Sequence, residues 1–255
     1  MSHFGWIVHK VIEKSDIILE IIDARFIEET RNKEVEYKVK NRGKILIYVI
    51  NKSDLLRQHE LLPIKEKFEN CVFVSAKNHL GTNMLRQKIL LLARKKGIKQ
   101  PKVGVIGYPN VGKSSLINAF KGSHSARTSA EAGYTKALQL LRISKDVVMF
   151  DTPGVMEKEK RDEGDLAIIG AKNPSSMHDP DLAVFKLIKK YPGALEKYYG
   201  IEKGSTRQKI IEQVAVKLNM KKKGNIPDIE RASRKILIDW QSGNIKYKRE
   251  ISPFD

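Results

Sequence analysis

The octapeptide Gly107-Tyr108-Pro109-Asn110-Val111-Gly112-Lys113-Ser114 fills every fixed position of the pattern G-x-x-x-x-G-K-[ST]. It follows an apolar run over residues 103–106 and opens a helical pattern over 114–120, so it reads as the turn between a buried strand and a helix. No other feature constrains the fold as strongly. Glycines let the backbone wrap an anion closely, and successive N–H groups with the helix N-terminus supply positive potential. Lys113 adds a point charge for outer phosphates, and the Ser114 hydroxyl is placed to ligate Mg²⁺. Phosphate contacts are therefore expected from Asn110, Val111, Gly112, Lys113, Ser114 and Ser115.

The rest of the chain supplies the sheet such a turn needs. Residues 16–23 and 45–50 are near-continuous β-branched runs, the pattern of strands buried on both faces. A third strand is expected over 72–74, with a helix over 4–14 before the three strands, helices up to Arg42 and over 61–68 between them, and another over 83–95 after them. After the basic stretch 95–101, read as a flexible connector, come the strand 103–106, the helix 114–120 and strands over 138–143 and 147–150. Beyond about Gly170 the strands stop, and helices are expected over 181–190, 206–218 and 229–240. The reading is an α/β domain with a mainly parallel sheet over residues 1–170, then a small all-helical C-terminal domain over 171–255.

Two further phosphate-side elements follow the octapeptide. Asp151-Thr152-Pro153-Gly154 ends a strand, where an aspartate can hold Mg²⁺ through water and the Gly154 N–H can meet a γ-phosphate. Thr135, within Gly133-Tyr134-Thr135-Lys136, is the candidate threonine completing the Mg²⁺ shell. Lys113, Thr135 and Gly154 are thus the expected catalytic set, and Ser114, Thr135 and Asp151 the magnesium set.

A purine-reading element stands upstream. Asn51-Lys52-Ser53-Asp54 follows the strand 45–50, and Ser75-Ala76-Lys77 follows the strand 72–74. A carboxylate such as Asp54 accepts from both the N1–H and the exocyclic amine of guanine, a donor pair adenine lacks. Asn51 would steady the loop and the purine N7 edge, the Lys52 stem would cover the base, and the Ser75-Ala76-Lys77 segment would offer a backbone N–H to the guanine O6. Both elements sit at C-terminal strand ends, where open α/β sheets bind ligands. The expected cofactors are GTP or GDP with magnesium.

In Ras-like GTPases the phosphate loop comes first and the base motifs last; here that order is reversed. Circular permutation is tolerated where the original termini lie close enough to join, and residues 95–101 occupy that joint. These motifs in this order resemble the circularly permuted GTPases of the YlqF/YawG type, along about residues 10–155 and more loosely over 226–243. Asp23-Ala24-Arg25, Arg31-Asn32 and the wording Gly-Tyr-Pro-Asn-Val-Gly-Lys-Ser-Ser carry the resemblance. It implies an rRNA- and ribosome-binding protein of low intrinsic GTPase rate, acting in ribosome subunit assembly. It also implies a hydrophobic residue, here Val155, in place of a catalytic glutamine, and potassium held beside the phosphates by Asn110. Ala132 departs from the proline usual before the switch threonine, and neither His3 nor His9 aligns with the family's N-terminal histidine.

Composition bears on partners. With 48 Lys plus Arg against 30 Asp plus Glu, the formal charge is +18, which points to a polyanionic partner such as a nucleic acid; the resemblance implies that this partner is rRNA in a ribosomal subunit. Lys221-Lys222-Lys223 and residues 246–249 are the candidate phosphate contacts. A lone Cys71 in an apolar run, no signal-peptide pattern and no membrane-length apolar run lead to the expectation of a cytoplasmic monomer with no membrane partner. Two other functions are open on sequence: a nucleotide-stabilised protein-binding scaffold without an rRNA target, and a tRNA-modification GTPase, which would need a further domain.

Overall fold

A computed structural model describes residues 3–121, 139–142, 148–151, 162–203 and 206–247. The chain forms two compact units, Met1–Glu159 and Lys160–Asp255.

The first unit is built on a six-stranded sheet. Helix α1 (His3–Lys14) turns Ile7, Val8, Val11 and Ile12 inward. Strand β1 (Ile17–Asp23) is buried at every residue, as is β2 (Ile45–Asn51), which explains their unbroken apolar sequences. Between them lie the short α2 (Ile27–Thr30) and α3 (Lys33–Asn41), the latter capped by the Asn32 side chain accepting from the Val35 N–H. A 3-10 turn at Ser53–Leu55 and α4 (Gln58–Lys67) lead to β3 (Cys71–Phe73); α5 (Thr82–Lys95) leads to β4 (Lys102–Gly107) and α6 (Lys113–Lys121). Strands β5 (Gln139–Arg142) and β6 (Val148–Asp151) complete the sheet.

Strand order is β3-β2-β1-β4-β6-β5, all neighbours parallel except the antiparallel pair β5–β6. The chain runs outward from β1 to β2 and β3, then returns to the other side of β1 with β4. The strand order therefore reverses between β1 and β4, and ligands of open α/β sheets bind outside such a reversal. In register, Asp23 lies beside Asn51 and Ile21 beside Gly107, so the ends of β2, β1 and β4 form one rim.

One expectation changes here. The joint at 95–101 is an ordered helix-ending turn: the Ile98 N–H donates to the Ala93 carbonyl at 2.9 Å, and the Lys96 ammonium to the Gly43 carbonyl at 2.6 Å. Cys71 is half-buried, because β3 is an edge strand. Arg31 and Asn32 brace α3. Arg31 grips the buried Glu36 carboxylate through Nε at 2.7 Å and a terminal nitrogen at 2.8 Å, and the Tyr48 hydroxyl donates to the same carboxylate at 2.9 Å. The Asn32 N–H donates to Glu20 Oε1 at 2.6 Å. Burial on β1 raises the Glu20 carboxyl to about 8, against the lowering effect of that N–H, with Glu36 adding to the rise.

In the second unit α7 (Glu163–Ile168) is capped by Asp162, α8 (Pro180–Lys190) begins on a proline, α9 (Ala194–Tyr199) is short, α10 (Arg207–Lys217) is capped by Thr206, and α11 (Ile229–Gln241) by Asp228. Trp240 is buried at the centre, its Nε1–H donating to the Ile168 carbonyl at 2.8 Å and its ring stacked 5.2 Å from that of Tyr247. The Gln241 side chain donates to the Ala167 and Lys172 carbonyls. These bonds tie α7 to α11, which is why the division falls before the expected 170. The unit is also not wholly helical. Strands β7 (Lys221–Lys222) and β8 (Ile226–Pro227) pair antiparallel, reversed by Gly224 and Asn225 at positive φ. Two residues per strand are too few to leave an alternating pattern. Among the described residues no helix is long and apolar enough to cross a membrane.

Candidate functional site

The loop after β4 takes a path that its glycines permit. Gly107 and Gly112 have φ of 152° and 98°, and Asn110 is left-handed at 57°. A Cβ on Gly107 would lie 2.6 Å from the Ile21 carbonyl oxygen, and one on Gly112 would overlap the Asn51 side-chain amide. The loop thus lies tight against β1 and β2, and α6 starts at Lys113 with the Leu116 N–H on the Gly112 carbonyl. Lys113 is buried, its ammonium donating to the carbonyls of Gly107 at 2.9 Å and Tyr108 at 2.5 Å. Ser114 is exposed at the helix start, Ser115 half-buried, and Asn110 exposed at the loop apex.

Asn51 joins this loop to the upstream motifs. Its Nδ2 donates to the Val111 carbonyl at 2.7 Å, and its Oδ1 accepts from the Ala76 N–H at 3.1 Å. Three segments far apart in sequence are held together by one buried amide. The Ser75 N–H goes to the Leu80 carbonyl at 3.0 Å, closing the turn 75–80. With the Ser75 and Ala76 amides taken, the Lys77 N–H is the amide of this trio with no acceptor among the described residues. The Ser75 side chain is buried and its hydroxyl has no partner among the described residues.

Asp54 is exposed in the 3-10 turn after β2, and its carboxylate has no protein partner among the described residues. Lys52 is left-handed, with φ of 59°, and its ammonium lies 2.8 Å from Asp23 Oδ2. Asp23, wholly buried at the end of β1, also accepts from the Arg25 side chain at 3.1 and 2.9 Å. Burial pushes the Asp23 carboxyl up, but Lys52 and Arg25 outweigh it and hold the group below the usual carboxylate range. In the sequence Asp23 and Arg25 stand out only as part of the wording that carries the family resemblance. The contact of Asp23 with Lys52, by contrast, joins the ends of two adjacent parallel strands.

Asp151 closes β6 on the far side of β4, paired with Gln139. Thr135, Thr152, Pro153, Gly154 and Val155 lie outside the described residues. The structure therefore brings Asn51, Lys52, Asp54, Ser75, Ala76, Lys77 and residues 110–115 to the C-terminal side of one sheet, with the backbone of Asp151 at a neighbouring strand end.

Residues 102–211 match a family model described as a 50S ribosome-binding GTPase. The chain is 41% identical over 246 residues to an uncharacterized GTP-binding protein of Methanocaldococcus jannaschii, covering 94% of this chain and 65% of that protein. It is 33% identical over 271 residues to the guanine nucleotide-binding protein-like NSN1 of Arabidopsis thaliana, covering 93% of this chain and 47% of that protein. The chain thus spans between about half and about two thirds of the length of these relatives. Two solved structures share the fold: GDP-bound YlqF at a TM-score of 0.69, covering 96% of this chain and 99% of that one, and GNP-bound YlqF from T. maritima at 0.67, covering 95% and 96%, each at 22% identity.

Proposed function

We propose that the chain is a circularly permuted GTPase of the YlqF/YawG type, a GTP-binding and GTP-hydrolysing switch that acts in ribosome subunit assembly by binding rRNA. The observation that carries the nucleotide reading is the Asn51 side chain spanning the base-side and phosphate-side loops.

In this reading Asp54 accepts from the guanine N1–H and exocyclic amine, and the Lys77 N–H donates to O6. The Lys52 stem covers the base. Asn110, Val111, Gly112, Lys113, Ser114 and Ser115 cradle the phosphates, the Lys113 ammonium turning from the Gly107 and Tyr108 carbonyls to the outer phosphates. The exposed Ser114 hydroxyl at a helix N-terminus and an aspartate ending the adjacent strand suit magnesium, with Thr135 as third contributor. Bound there, the ion would offset charge developing on the transferred phosphoryl group. Gly154 would sense the γ-phosphate through its N–H. Val155 has no group to orient the attacking water, which fits a slow intrinsic rate that a bound particle raises. Asn110, exposed at the loop apex, would help hold potassium beside the phosphates.

The charge of +18 and the exposed lysines Lys221, Lys222 and Lys223 on the β7–β8 hairpin support an rRNA partner. The description of the matched family model points to the large subunit. The experiment is cosedimentation of the chain with purified large subunits, with a non-hydrolysable GTP analogue or GDP, at low and high salt. Binding should favour the analogue and weaken steeply with salt. Binding indifferent to both, or retention only by a protein partner, would replace the rRNA reading with that of a nucleotide-stabilised scaffold.

A further inference from the structure

The Asp23 carboxylate carries more cation than its burial requires. Arg25 already satisfies it, donating from its backbone N–H at 3.0 Å, from Nε at 3.1 Å and from a terminal nitrogen at 2.9 Å. A buried carboxylate so held is compensated. Yet the Lys52 ammonium also lies on Asp23 Oδ2 at 2.8 Å. Lys52 reaches it from the neighbouring strand end, with a left-handed backbone that lysine adopts reluctantly. Its side chain keeps 24% of its surface exposed, so its own burial does not demand a partner.

The placement explains the arrangement. Asp23 and Asn51 are paired in register, and Lys52 directly follows Asn51, whose side chain spans the two halves of the rim. We infer that Asp23 is a positioning residue for guanine-nucleotide affinity: by drawing the Lys52 ammonium back onto the end of β1, it fixes the Lys52 stem at the base-binding rim before the ligand arrives. This inference rests on the guanine-nucleotide reading above. Unheld, a lysine samples many rotamers, and ordering it at the moment of binding lowers affinity. Held by Asp23, it meets the base already ordered. Arg25 contributes to the fold by compensating Asp23 and has no part in the base contact.

The test is a double-mutant cycle on the full chain, reading the Kd for a fluorescent GDP and, separately, the urea midpoint without nucleotide. Asp23→Asn and Lys52→Met should each weaken GDP binding roughly tenfold, and the double variant should be no weaker than either. Arg25→Gln, which leaves the Asp23–Lys52 pair in place, should lower the urea midpoint while changing Kd less than about twofold. If Asp23→Asn alone does not fold, the cycle is run in the Arg25→Gln background, where no buried guanidinium is left without its carboxylate. Penalties that multiply to about a hundredfold in the double variant, or an unchanged Kd in Asp23→Asn, overturn the inference and leave the guanine-nucleotide reading standing. A wild-type chain that binds no GDP removes that reading itself, and the inference with it.

Discussion

The side-chain amide of Asn51 and the main-chain carbonyl of Val111, 60 residues apart in sequence, are joined by a hydrogen bond of 2.7 Å. Because the same side chain accepts from Ala76, the loops expected to read a base and those expected to cradle phosphates share one buried support.

Removing that support should be felt on both sides. Asn51→Ala strands the buried Val111 carbonyl and Ala76 N–H, and an unsatisfied buried polar group costs about 1–3 kcal/mol. Urea denaturation should show a loss of that size, and GDP affinity should fall about tenfold or more, since every 1.4 kcal/mol is tenfold. Asn51→Asp keeps the acceptor for Ala76 but sets a carboxylate against the Val111 carbonyl, so it should rescue neither property.

Gly112 allows the close approach that the bond requires. A Cβ there would overlap Asn51 Nδ2, and φ of 98° is strained for any L side chain. Gly112→Ala should weaken nucleotide binding by more than about tenfold, measured by fluorescent-nucleotide titration. In an Asn51→Ala background the added penalty should shrink, because the obstructing amide is gone.

The buried strands β1 and β2 were legible because burial on both faces leaves unbroken apolar runs, and the phosphate loop because its glycines and lysine are chemically obligatory. Asn51, Asp54 and the segment at 75–77 were legible by type and position at strand ends. The division of labour within them was not, since only the fold shows that the Ala76 amide is committed to Asn51 while that of Lys77 faces no acceptor among the described residues. The hairpin at 221–227 escaped notice because its reversal rests on backbone conformation at Gly224 and Asn225 rather than on a hydrophobic pattern. Helix α7 escaped because six residues are too few to show a helical period.

Glu20 should give the first unit a pH dependence opposite to that of Asp23. Its carboxyl is raised from 4.5 to about 8 by burial, so the folded chain holds a proton that the unfolded chain releases. Its contribution is complete below 4.5 and is lost as pH rises toward about 8. Asp23, held low, loses its contribution only on acidification below its unfolded value of 3.8. Between pH 5 and 8 the urea midpoint of the wild type should therefore fall with pH, and that of Glu20→Gln should fall less. Parallel slopes would contradict the assignment.

Trp240 is the anchor of the second unit, 1% exposed, bonded to the Ile168 carbonyl and in contact with Tyr191 and Tyr247. Trp240→Ala should destabilise that unit by about 3–5 kcal/mol. Trp240→Phe keeps ring packing but strands the Ile168 carbonyl, and should lose about 1–3 kcal/mol. Far-UV circular dichroism during urea denaturation reads both; a Trp240→Phe variant as stable as the wild type would deny the indole hydrogen bond its role.

The most direct measurement is base preference in Asp54→Asn. The carboxylate complements the two donors of guanine, whereas an asparagine offers a donor in place of one acceptor and so complements xanthine, which carries an oxygen where guanine carries its amine. Competition titrations of fluorescent GDP with GDP and with xanthosine diphosphate should show the wild type preferring GDP and the variant preferring the xanthine nucleotide. Lys113→Ala should abolish binding of both in either background. An unchanged preference for GDP in Asp54→Asn, with Lys113→Ala still abolishing binding, would contradict the claim that the loop after β2 and the loop after β4 grip one nucleotide.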